Sequence, residues 1–279
     1  MAALLILLNF LAWKEVFALN GPHYLNVDVL DIGQGDSIFI ETPSLRHILI
    51  DGGSDSKVLG KLAKRLPFWD KTLDVVILTH PDQDHLMGLL HVLKKYKVDY
   101  IVWTGMVRDG GNYEEWVKLL AKKQKQGSKV IIARADTKIN SGNVLIDTLN
   151  PLENLEGKYF GKAGNDTGIV SRVLYGKNSF LLTADISSNV EQEMIRRNTS
   201  LASDILKVPH HGSKYSSSEL FLQAVNPKFA VISVGKDNNY GHPTEEVLQR
   251  LQKFGISILR TDQRGDVNIV SDGNTIKIK

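Results

Sequence analysis

The chain has 279 residues, 42% of them hydrophobic, which is enough for one large domain or two small ones with a real core. Its 34 basic and 31 acidic residues leave a net charge of +3, so the overall charge gives no strong argument for a nucleic-acid partner. Because the sequence contains no cysteine, disulfides, thiolate-bound zinc and cysteine nucleophiles are excluded.

A hydrophobic segment covers residues 1–22. A membrane-spanning helix needs about twenty apolar residues, and this segment reaches that length only if Asn9, Lys14 and Glu15 are included. A secretory signal would begin with basic residues, which are missing here. We therefore predict a marginal membrane anchor or signal-like segment, which would place a membrane-anchored or secreted domain over residues 23–279 outside the cytoplasm.

Three short apolar runs, separated by turns that contain glycine or proline, follow this segment. Runs of this length and composition are typical of strands, so they predict an opening β-meander. Its strands cover residues 25–30, 37–41 and 46–50. Helices are then predicted over residues 56–66, 85–96 and 113–126, with strands over 73–78 and 100–103 between them.

The second half of the chain repeats this alternation after a loop-like region over residues 151–164. Strands are predicted over residues 168–175, 179–183, 204–208, 229–234, 257–259, 267–270 and 275–278, and helices over 188–197, 217–225 and 244–254. Two strand-rich halves, each flanked by helices, predict an α/β (α+β) fold. Its two mixed sheets would pack face to face between outer helices, as an αββα sandwich.

One turn between a predicted strand and a predicted helix carries four candidate metal ligands, His80, Asp82, Asp84 and His85. Imidazole nitrogen and carboxylate oxygen bind zinc or a harder divalent ion, and coordination positions left open make such a site catalytic. The plain alternative is that Asp82 or Asp84 caps the helix. Capping needs only one side chain, so it leaves the other three unexplained.

Other predicted strands also end in histidine or aspartate, namely at Asp51, Asp185, the pair His210 and His211, and His242. In layered α/β folds, sites collect where strand ends meet, so these side chains are expected to share one pocket with the first motif. Taken alone, Asp51 is as well explained as a turn residue. Ordinary surface or core roles are expected for the other three histidines, His23, His47 and His91.

With these motifs the chain resembles the metallo-β-lactamase superfamily, and within it the ComEC-like metallo-hydrolase domain of competence proteins. The likeness covers about residues 25–279. It is carried by seven ordered segments, residues 30–37, 49–53, 78–85, 180–185, 206–213, 240–243 and 260–263. The resemblance implies a metallo-β-lactamase-like sandwich.

The resemblance also implies a site that holds two divalent ions, Mn²⁺ or Zn²⁺ with Mg²⁺ as an alternative. The implied metal ligands are His80, Asp82, Asp84, His85, Asp166, Asp185 and His242, with Asp185 bridging the ions. Catalytic roles are implied for Asp36, Asp84, His210 and His211, of which either histidine could ligate or hold the leaving group. Supporting roles fall to Ser37, Asp51, Asn165 and Ser213, with Asp51 orienting the metal turn.

The chain departs from the wider superfamily at two positions. Asp82 stands where histidine is usual, and the next histidine ligand is missing, with Asn165 and Asp166 in roughly its place. An oxygen-rich site favours manganese or magnesium over zinc without excluding zinc.

The function that this resemblance implies is metal-dependent phosphodiester hydrolysis through a water activated by two ions. Single- or double-stranded DNA is the leading substrate, because the ComEC-like domain is associated with processing DNA for uptake. Basic side chains on the helix over residues 56–66 could hold the strand, and a separate uptake channel could act beside the domain. One alternative is an esterase or lactonase of the same superfamily, which would need a narrow apolar pocket. The other is a non-catalytic, membrane-tethered DNA-binding module. The oligomeric state stays open.

Overall fold

The computed structural model describes Leu5, Ile6, Asn9, Trp13 and residues 24–279, apart from the side chains of residues 162 and 163. The predicted anchor or signal over residues 1–22 therefore lies mostly outside the described residues. In the part of the chain that is described, no helix is both long enough and apolar enough to cross a bilayer.

Fifteen strands lie between residues 24 and 279. In chain order they are β1 (Leu25–Val29), β2 (Ile38–Glu41), β3 (His47–Ile50), β4 (Thr72–Ile77), β5 (Lys97–Trp103), β6 (Lys129–Ile132), β7 (Lys138–Ser141), β8 (Val144–Asn150), β9 (Val170–Tyr175), β10 (Asn178–Leu182), β11 (Ile205–Lys207), β12 (Phe229–Ile232), β13 (Ser257–Arg260), β14 (Val267–Ser271) and β15 (Ile276–Ile278).

Helices connect the strands. They are α1 (Lys57–Arg65), α2 (Gln83–Lys95), α3 (Gly111–Lys125), α4 (Ser188–Arg196), α5 (Glu219–Val225), α6 (Glu245–Lys253) and the short α7 (Thr261–Arg264). Two 3₁₀ helices cover Gly161–Thr167 and Pro209–Gly212. The first of these begins inside the region predicted as a loop.

The strands form two mixed sheets, as predicted. The first has the order β15-β14-β1-β2-β3-β4-β5-β6, with an antiparallel meander over β1 to β3 and parallel pairing from β3 to β6. The second has the order β13-β12-β11-β10-β9-β8-β7 and is parallel from β10 to β13. Parallel strands place their carboxyl ends at one edge of each sheet, where sites in such folds collect.

Apolar packing holds the sheets together. Side chains such as Val27, Ile48 and Phe180 form a buried layer between the two sheets. The outer faces carry two further buried clusters, one under α1 to α3 and one under α4 to α6. Strands covered on both sides read as continuous apolar runs, which is why most of them could be predicted from the sequence.

Two features of the sheets differ from the prediction. Strands β6, β7 and β8 were not predicted. β6 and β7 are edge strands whose short segments alternate between exposed and half-buried positions, whereas β8 is an interior strand of buried and half-buried residues for which no such reason holds. Strands β14 and β15 join the first sheet by pairing with β1, although they follow the second-half strands in the sequence. Pairing between distant segments leaves no local signal in the sequence.

Helix α2 lies directly on the loop that follows β3. The Gly52 N–H donates to the His85 carbonyl oxygen at 2.8 Å, and the Gly88 N–H donates to the Gly53 carbonyl oxygen at 2.9 Å. A Cβ atom added at Gly88 would lie 1.8 Å from the Gly52 carbonyl oxygen. Only glycine permits this approach of backbone to backbone, which sets the position of the first turn of α2.

We predict that Gly88→Ala lowers the free energy of unfolding by about 3 kcal/mol, because neither backbone can yield without moving α2. The matched control is Gly60→Ala in α1, where an added Cβ meets nothing within 4 Å. That change should raise stability by about 0.5–1 kcal/mol through helix propensity. Urea unfolding followed by circular dichroism measures both values, and equal effects at the two glycines would contradict the close approach.

Candidate metal centre

The predicted site residues meet at the carboxyl ends of the parallel strands. Asp51 follows β3, the motif from His80 to His85 follows β4, and Asp185 follows β10. The second sheet also contributes the pair His210 and His211 after β11 and His242 after β12. The structure thus brings together side chains that are separated by up to about 190 residues in the sequence.

Four side chains converge most closely, and we call Asp84, His85, Asp185 and His211 the metal cluster. Each offers a ligand atom within 4.8 Å of the others. His211 Nε2 lies 3.3 Å from Asp185 Oδ2 and 3.4 Å from Asp84 Oδ2, and His85 Nε2 lies 3.4 Å from Asp185 Oδ2. Asp84 is the partly exposed member, whereas the other three are buried.

The donor atoms of this cluster fit a divalent cation. The Nε2 atoms of His85 and His211 and the Oδ1 atom of Asp185 are buried without a hydrogen-bond partner among the described residues. His80 Nε2 is likewise buried and has no hydrogen-bond partner among the described residues. A buried polar atom without a partner costs about 1–3 kcal/mol, so several of them at one point are unusual. A cation between the imidazoles and carboxylates would satisfy them.

Hydrogen bonds behind the imidazoles aim their Nε2 atoms into the cluster. His85 Nδ1 donates to Asp51 Oδ2 at 2.8 Å, and His211 Nδ1 donates to the Ser233 carbonyl oxygen at 2.8 Å. Asp51 is itself held by the Thr79 N–H at 2.8 Å and the Thr79 hydroxyl at 2.7 Å. Such partners determine the tautomer and orientation of ligating histidines.

Thr79 also determines the tautomer of His80. Its hydroxyl donates to Asp51, so in the 3.0 Å contact between Thr79 Oγ1 and His80 Nδ1 the imidazole must donate. Burial, reinforced by the charge on His85, lowers the pKa of His80 to about 3. His80 is therefore neutral at physiological pH and keeps a lone pair on Nε2.

Charge within the cluster favours a cation. Burial opposes the ionised form of Asp185, but His211 and His85 outweigh it and hold the pKa of Asp185 well below its usual value. Burial likewise opposes the charged forms of both histidines, but the Asp185 carboxylate raises their pKa well above the ordinary value. The buried Asp185 carboxylate is therefore stabilised only by nearby positive charge, which protons on the histidines or a divalent ion can supply.

A buried lysine that sequence reasoning missed lies behind the cluster. Lys207 is 1% exposed, and its Nζ contacts Asp36 Oδ2 and lies 3.8 Å from Asp185 Oδ1. Asp36 Oδ1 lies 3.4 Å from His211 Nδ1, so Asp36 sits behind His211 and suits orientation better than the predicted catalytic role. A charged residue between Leu206 and Val208, in an otherwise apolar strand, is the signal that would have found Lys207.

The remaining predicted ligands occupy different positions. Asp82 lines the site cavity and its carboxylate pairs with Arg108. Asp166 turns away and accepts a hydrogen bond from the Ser187 N–H at 3.0 Å. Its neighbour Asn165 lines the cavity instead, with Nδ2 3.3 Å from His210 Nε2.

His242 completes the wall of the cavity. Its ring centroid lies 5.6 Å from that of His210, and Asn238 holds its backbone through the N–H at 3.0 Å and the carbonyl oxygen at 2.7 Å. Of the predicted supporting serines, Ser37 donates to the Asp51 carbonyl oxygen at 3.1 Å. Ser213 lies in the turn after His211, where its Oγ accepts from the Tyr215 N–H at 3.4 Å.

Backbone strain places the two adjacent histidines. His210 and His211 have φ values of 49° and 54°, in the left-handed region that residues with a Cβ rarely adopt. Strain of this kind collects at functional sites, where the surrounding structure enforces it. Here it directs His211 into the metal cluster and leaves His210 at the half-exposed mouth.

We predict that Asp185→Asn and His211→Ala each weaken Mn²⁺ binding by more than about 100-fold, because even partners outside the ligand set contribute 10–100-fold to metal affinity. Isothermal titration calorimetry on metal-stripped protein measures the change. His91→Ala in α2 removes an imidazole outside the cluster and should bind Mn²⁺ like the wild type. Wild-type affinity in both cluster variants would disprove the site.

Comparison of the sequence with known proteins identifies the family of the chain. The sequence model of the metallo-beta-lactamase superfamily matches residues 30–236. ComE operon protein 3 of Bacillus subtilis is 34% identical over 259 residues, covering 86% of this chain and 32% of that protein. Competence protein ComA of Neisseria gonorrhoeae is 32% identical over 241 residues, covering 86% and 31%. Recombination protein 2 of Haemophilus influenzae is 31% identical over 248 residues, covering 87% and 28%. The chain spans about a third of the length of these relatives.

Solved structures share the fold at low sequence identity. The metallo-beta-lactamase fold protein YhfI of Bacillus subtilis superposes with a TM-score of 0.59 at 16% identity, covering 89% of this chain and 100% of that one. The metallo hydrolase Igni18 of Ignicoccus hospitalis gives 0.55 at 15% identity, covering 87% and 98%. The predicted sandwich and the resemblance to competence proteins are thus confirmed. The chain belongs to the metallo-beta-lactamase superfamily of metal-dependent hydrolases, and its curated relatives include competence proteins.

Proposed function

We propose that this chain is a phosphodiesterase that hydrolyses DNA with two divalent ions, Mn²⁺ or Zn²⁺ with Mg²⁺ as an alternative. The observation that carries the proposal is the convergence of the metal cluster on a small polar cavity that opens to solvent beside exposed cationic and aromatic side chains. The names of the relatives, which include two competence proteins and a recombination protein, support DNA as the substrate.

The size and lining of the cavity favour a phosphate group. Its volume is about 100 Å³, and it is lined by Gln34, Asp82, Asp84, Asn165, Asp185, His210, His211, Tyr240 and His242. Pockets that enclose small organic ligands usually measure about 300–1,000 Å³ and are mostly apolar. A phosphodiester on an extended strand can reach the metal cluster without being enclosed.

A larger cavity elsewhere does not serve this chemistry. It has a volume of about 710 Å³ and is lined by residues of both sheets, among them Asp74, Tyr100 and Ile139. It shares no lining residue with the site cavity. The esterase or lactonase alternative therefore lacks an apolar pocket at the site itself.

The rim of the site offers contacts for bases and phosphates. Tyr240 is 68% exposed, and its ring stacks on His242 with centroids 5.9 Å apart. An exposed aromatic ring beside a reactive centre suits base stacking. A neighbouring cavity lined by Lys57 and Lys236 shares Gln34 with the site cavity, and these lysines suit backbone phosphates.

Helix α1 contributes less positive charge than the sequence suggested. Arg65 pairs with Asp28 at 2.6 Å and with Asp266 at 2.9 Å, and Lys61 pairs with Asp266 at 2.6 Å. These ion pairs join α1 to the first sheet. Lys57 is the basic side chain of α1 that lines the cavity beside the site, and its pair with Asp55 at 3.3 Å is on the exposed surface.

We assign different roles in hydrolysis to the metal cluster, His211 and His210. The metal cluster, with His80 and Asp82, would hold the ions, which supply Lewis-acid stabilisation of charge on phosphate and lower the pKa of water. His211 has both ring nitrogens committed, one to Ser233 and one to the cluster. His210 stands at the partly exposed mouth with Nε2 3.9 Å from Asp185 Oδ2, so its imidazole is placed to pass a proton to the departing oxygen.

The non-catalytic alternative fits the site less well. A binding module has no need of buried carboxylates, whose desolvation is costly unless they serve a cation. Asp185 is nevertheless buried, and its Oδ1 and the Nε2 atoms of His85 and His211 have no hydrogen-bond partner among the described residues. These unsatisfied atoms support a working metal centre.

We predict that the purified protein cleaves fluorescent DNA oligonucleotides when Mn²⁺ is added and loses this activity with a chelator. Asp185→Asn should lower the rate by about 10²-fold or more, because a charge that holds the centre together is removed. His210→Ala should lower it by about 10²–10⁴-fold while Mn²⁺ affinity is kept, because it removes proton transfer and not a ligand.

His91→Ala is the matched control and should cleave at the wild-type rate. Single-stranded and double-stranded oligonucleotides are compared under the same conditions. A metal-loaded wild type that cleaves neither would refute the nuclease, and a cleaving Asp185→Asn variant would refute the assigned centre.

We further propose that residues 23–279 form one hydrolase domain that acts outside the cytoplasm. The hydrophobic composition of residues 1–22 supports attachment to the membrane, and competence relatives of about three times the matched length support work beside a DNA-uptake channel. Cell fractionation should recover the chain with the membrane or outside the cell. Recovery only in the cytosol would contradict this placement.

A further inference from the structure

Asp82, one of the predicted metal ligands, takes part in an ion pair at the rim of the site. Arg108, in the loop between β5 and α3, places Nη1 against Asp82 Oδ1. Both side chains are partly exposed, at 30% for Arg108 and 26% for Asp82. A Cβ atom added at Gly164 would lie 3.2 Å from Arg108 Nη1 and 3.4 Å from Asp82 Oδ1, so bare backbone covers the pair.

Charges around the metal cluster divide into those already balanced and those that are not. Asp84 and Asp185 are the two carboxylates of the cluster, and their charge is what one divalent ion would neutralise once it replaces the protons on the two imidazoles. Asp36, on the inner side, is balanced by buried Lys207. Asp82, on the outer side, is balanced by Arg108. An ion that takes Asp82 Oδ1 as a ligand must therefore displace a guanidinium.

A donor for a second ion is nevertheless present two residues before Asp82 in the sequence. His80 is 1% exposed, its Nε2 has no hydrogen-bond partner among the described residues, and its ring centroid lies 4.1 Å from that of His85. His80 and Asp82 flank a single proline in the sequence. Together they can serve an ion next to the cluster once Asp82 is released.

The surroundings of Arg108 allow its side chain to move. A cavity of about 180 Å³ adjoins it, lined by residues that include Gln83, Gly110 and Tyr113. The backbone on either side is held, because the Val107 N–H donates to the Lys158 carbonyl oxygen at 2.8 Å and Asp109 accepts from the Tyr159 hydroxyl at 2.7 Å. The guanidinium can thus change partner while its loop stays in place.

We propose that Arg108 is a positioning residue that occupies Asp82 until a phosphodiester draws it away, so that a second divalent ion and the substrate bind cooperatively. Guanidinium groups pair with phosphate oxygens through two parallel hydrogen bonds, which makes phosphate a competent rival to a single carboxylate oxygen. The inference rests on the proposed function, because it takes the phosphodiester from there.

The test measures Mn²⁺ binding by isothermal titration calorimetry, with and without dimethyl phosphate as the simplest phosphodiester. In the wild type, dimethyl phosphate should tighten the second ion. Arg108→Ala should tighten the second ion by about fivefold or more without any phosphodiester, and dimethyl phosphate should then add little. Arg108→Lys keeps a positive charge at Asp82 but not the paired hydrogen-bond donors, so the second ion should bind as weakly as in the wild type and dimethyl phosphate should tighten it less.

Two controls assign the effect to Asp82. Arg197→Ala removes an arginine from its exposed pair with Glu193, outside the lining of the site cavity, and should leave both ions unchanged. The double variant Arg108→Ala with Asp82→Asn should lose the gain, because the released ligand is gone. Circular dichroism and the first-ion affinity confirm that each variant is folded.

A second ion that binds equally in the wild type and Arg108→Ala would overturn the inference, as would a gain that persists without Asp82. DNA cleavage is not a readout here, so the two proposals fail separately. Coupled Mn²⁺ binding without cleavage would reject the nuclease and keep the role of Arg108. Cleavage without coupling would do the reverse.

Discussion

The buried carboxylate of Asp51 is the constraint on which the site depends. It ends β3 in a left-handed conformation with φ of 58°, and its oxygens accept from the backbone and hydroxyl of Thr79 and from His85. One side chain therefore joins the ends of β3 and β4 to the first turn of α2. The close contact of Gly52 with α2 makes this arrangement possible, because any side chain there would push the helix and its ligands away.

Positive charge is distributed around the site to match its carboxylates. Asp36 pairs with the lysine side chain of Lys207, and Asp82 pairs with the guanidinium of Arg108. Asp185 instead faces imidazoles, whose charge can be exchanged for that of an ion. Buried Lys207 is thus a permanent counter-charge of the framework, whereas the counter-charges of Asp185 and Asp82 can be exchanged for that of an ion.

Much of the fold and the location of the site could be predicted from sequence, for physical reasons. Apolar runs that end in histidine or aspartate predict both the strands of the sheet and the edge at which the site lies, as at His80, Asp185 and His211. Side-chain partners could not be predicted, because they depend on contacts between distant segments. Asp166 and Asn165 are neighbours in sequence, yet Asp166 accepts from Ser187 while Asn165 faces His210. The role of Lys207 could not be predicted for the same reason, since its ion pair with Asp36 forms only in the folded structure.

The pairing of β1 with β14 bears on how the chain acquires its structure during synthesis. Leu25 lies opposite Ser271 and Val29 opposite Val267, so one edge of the opening meander stays open until nearly all of the described chain has been made. The outer face of β1 would meanwhile present unpaired backbone groups of the kind that recruit other strands. A chaperone or rapid closure by β14 would be needed most at this edge.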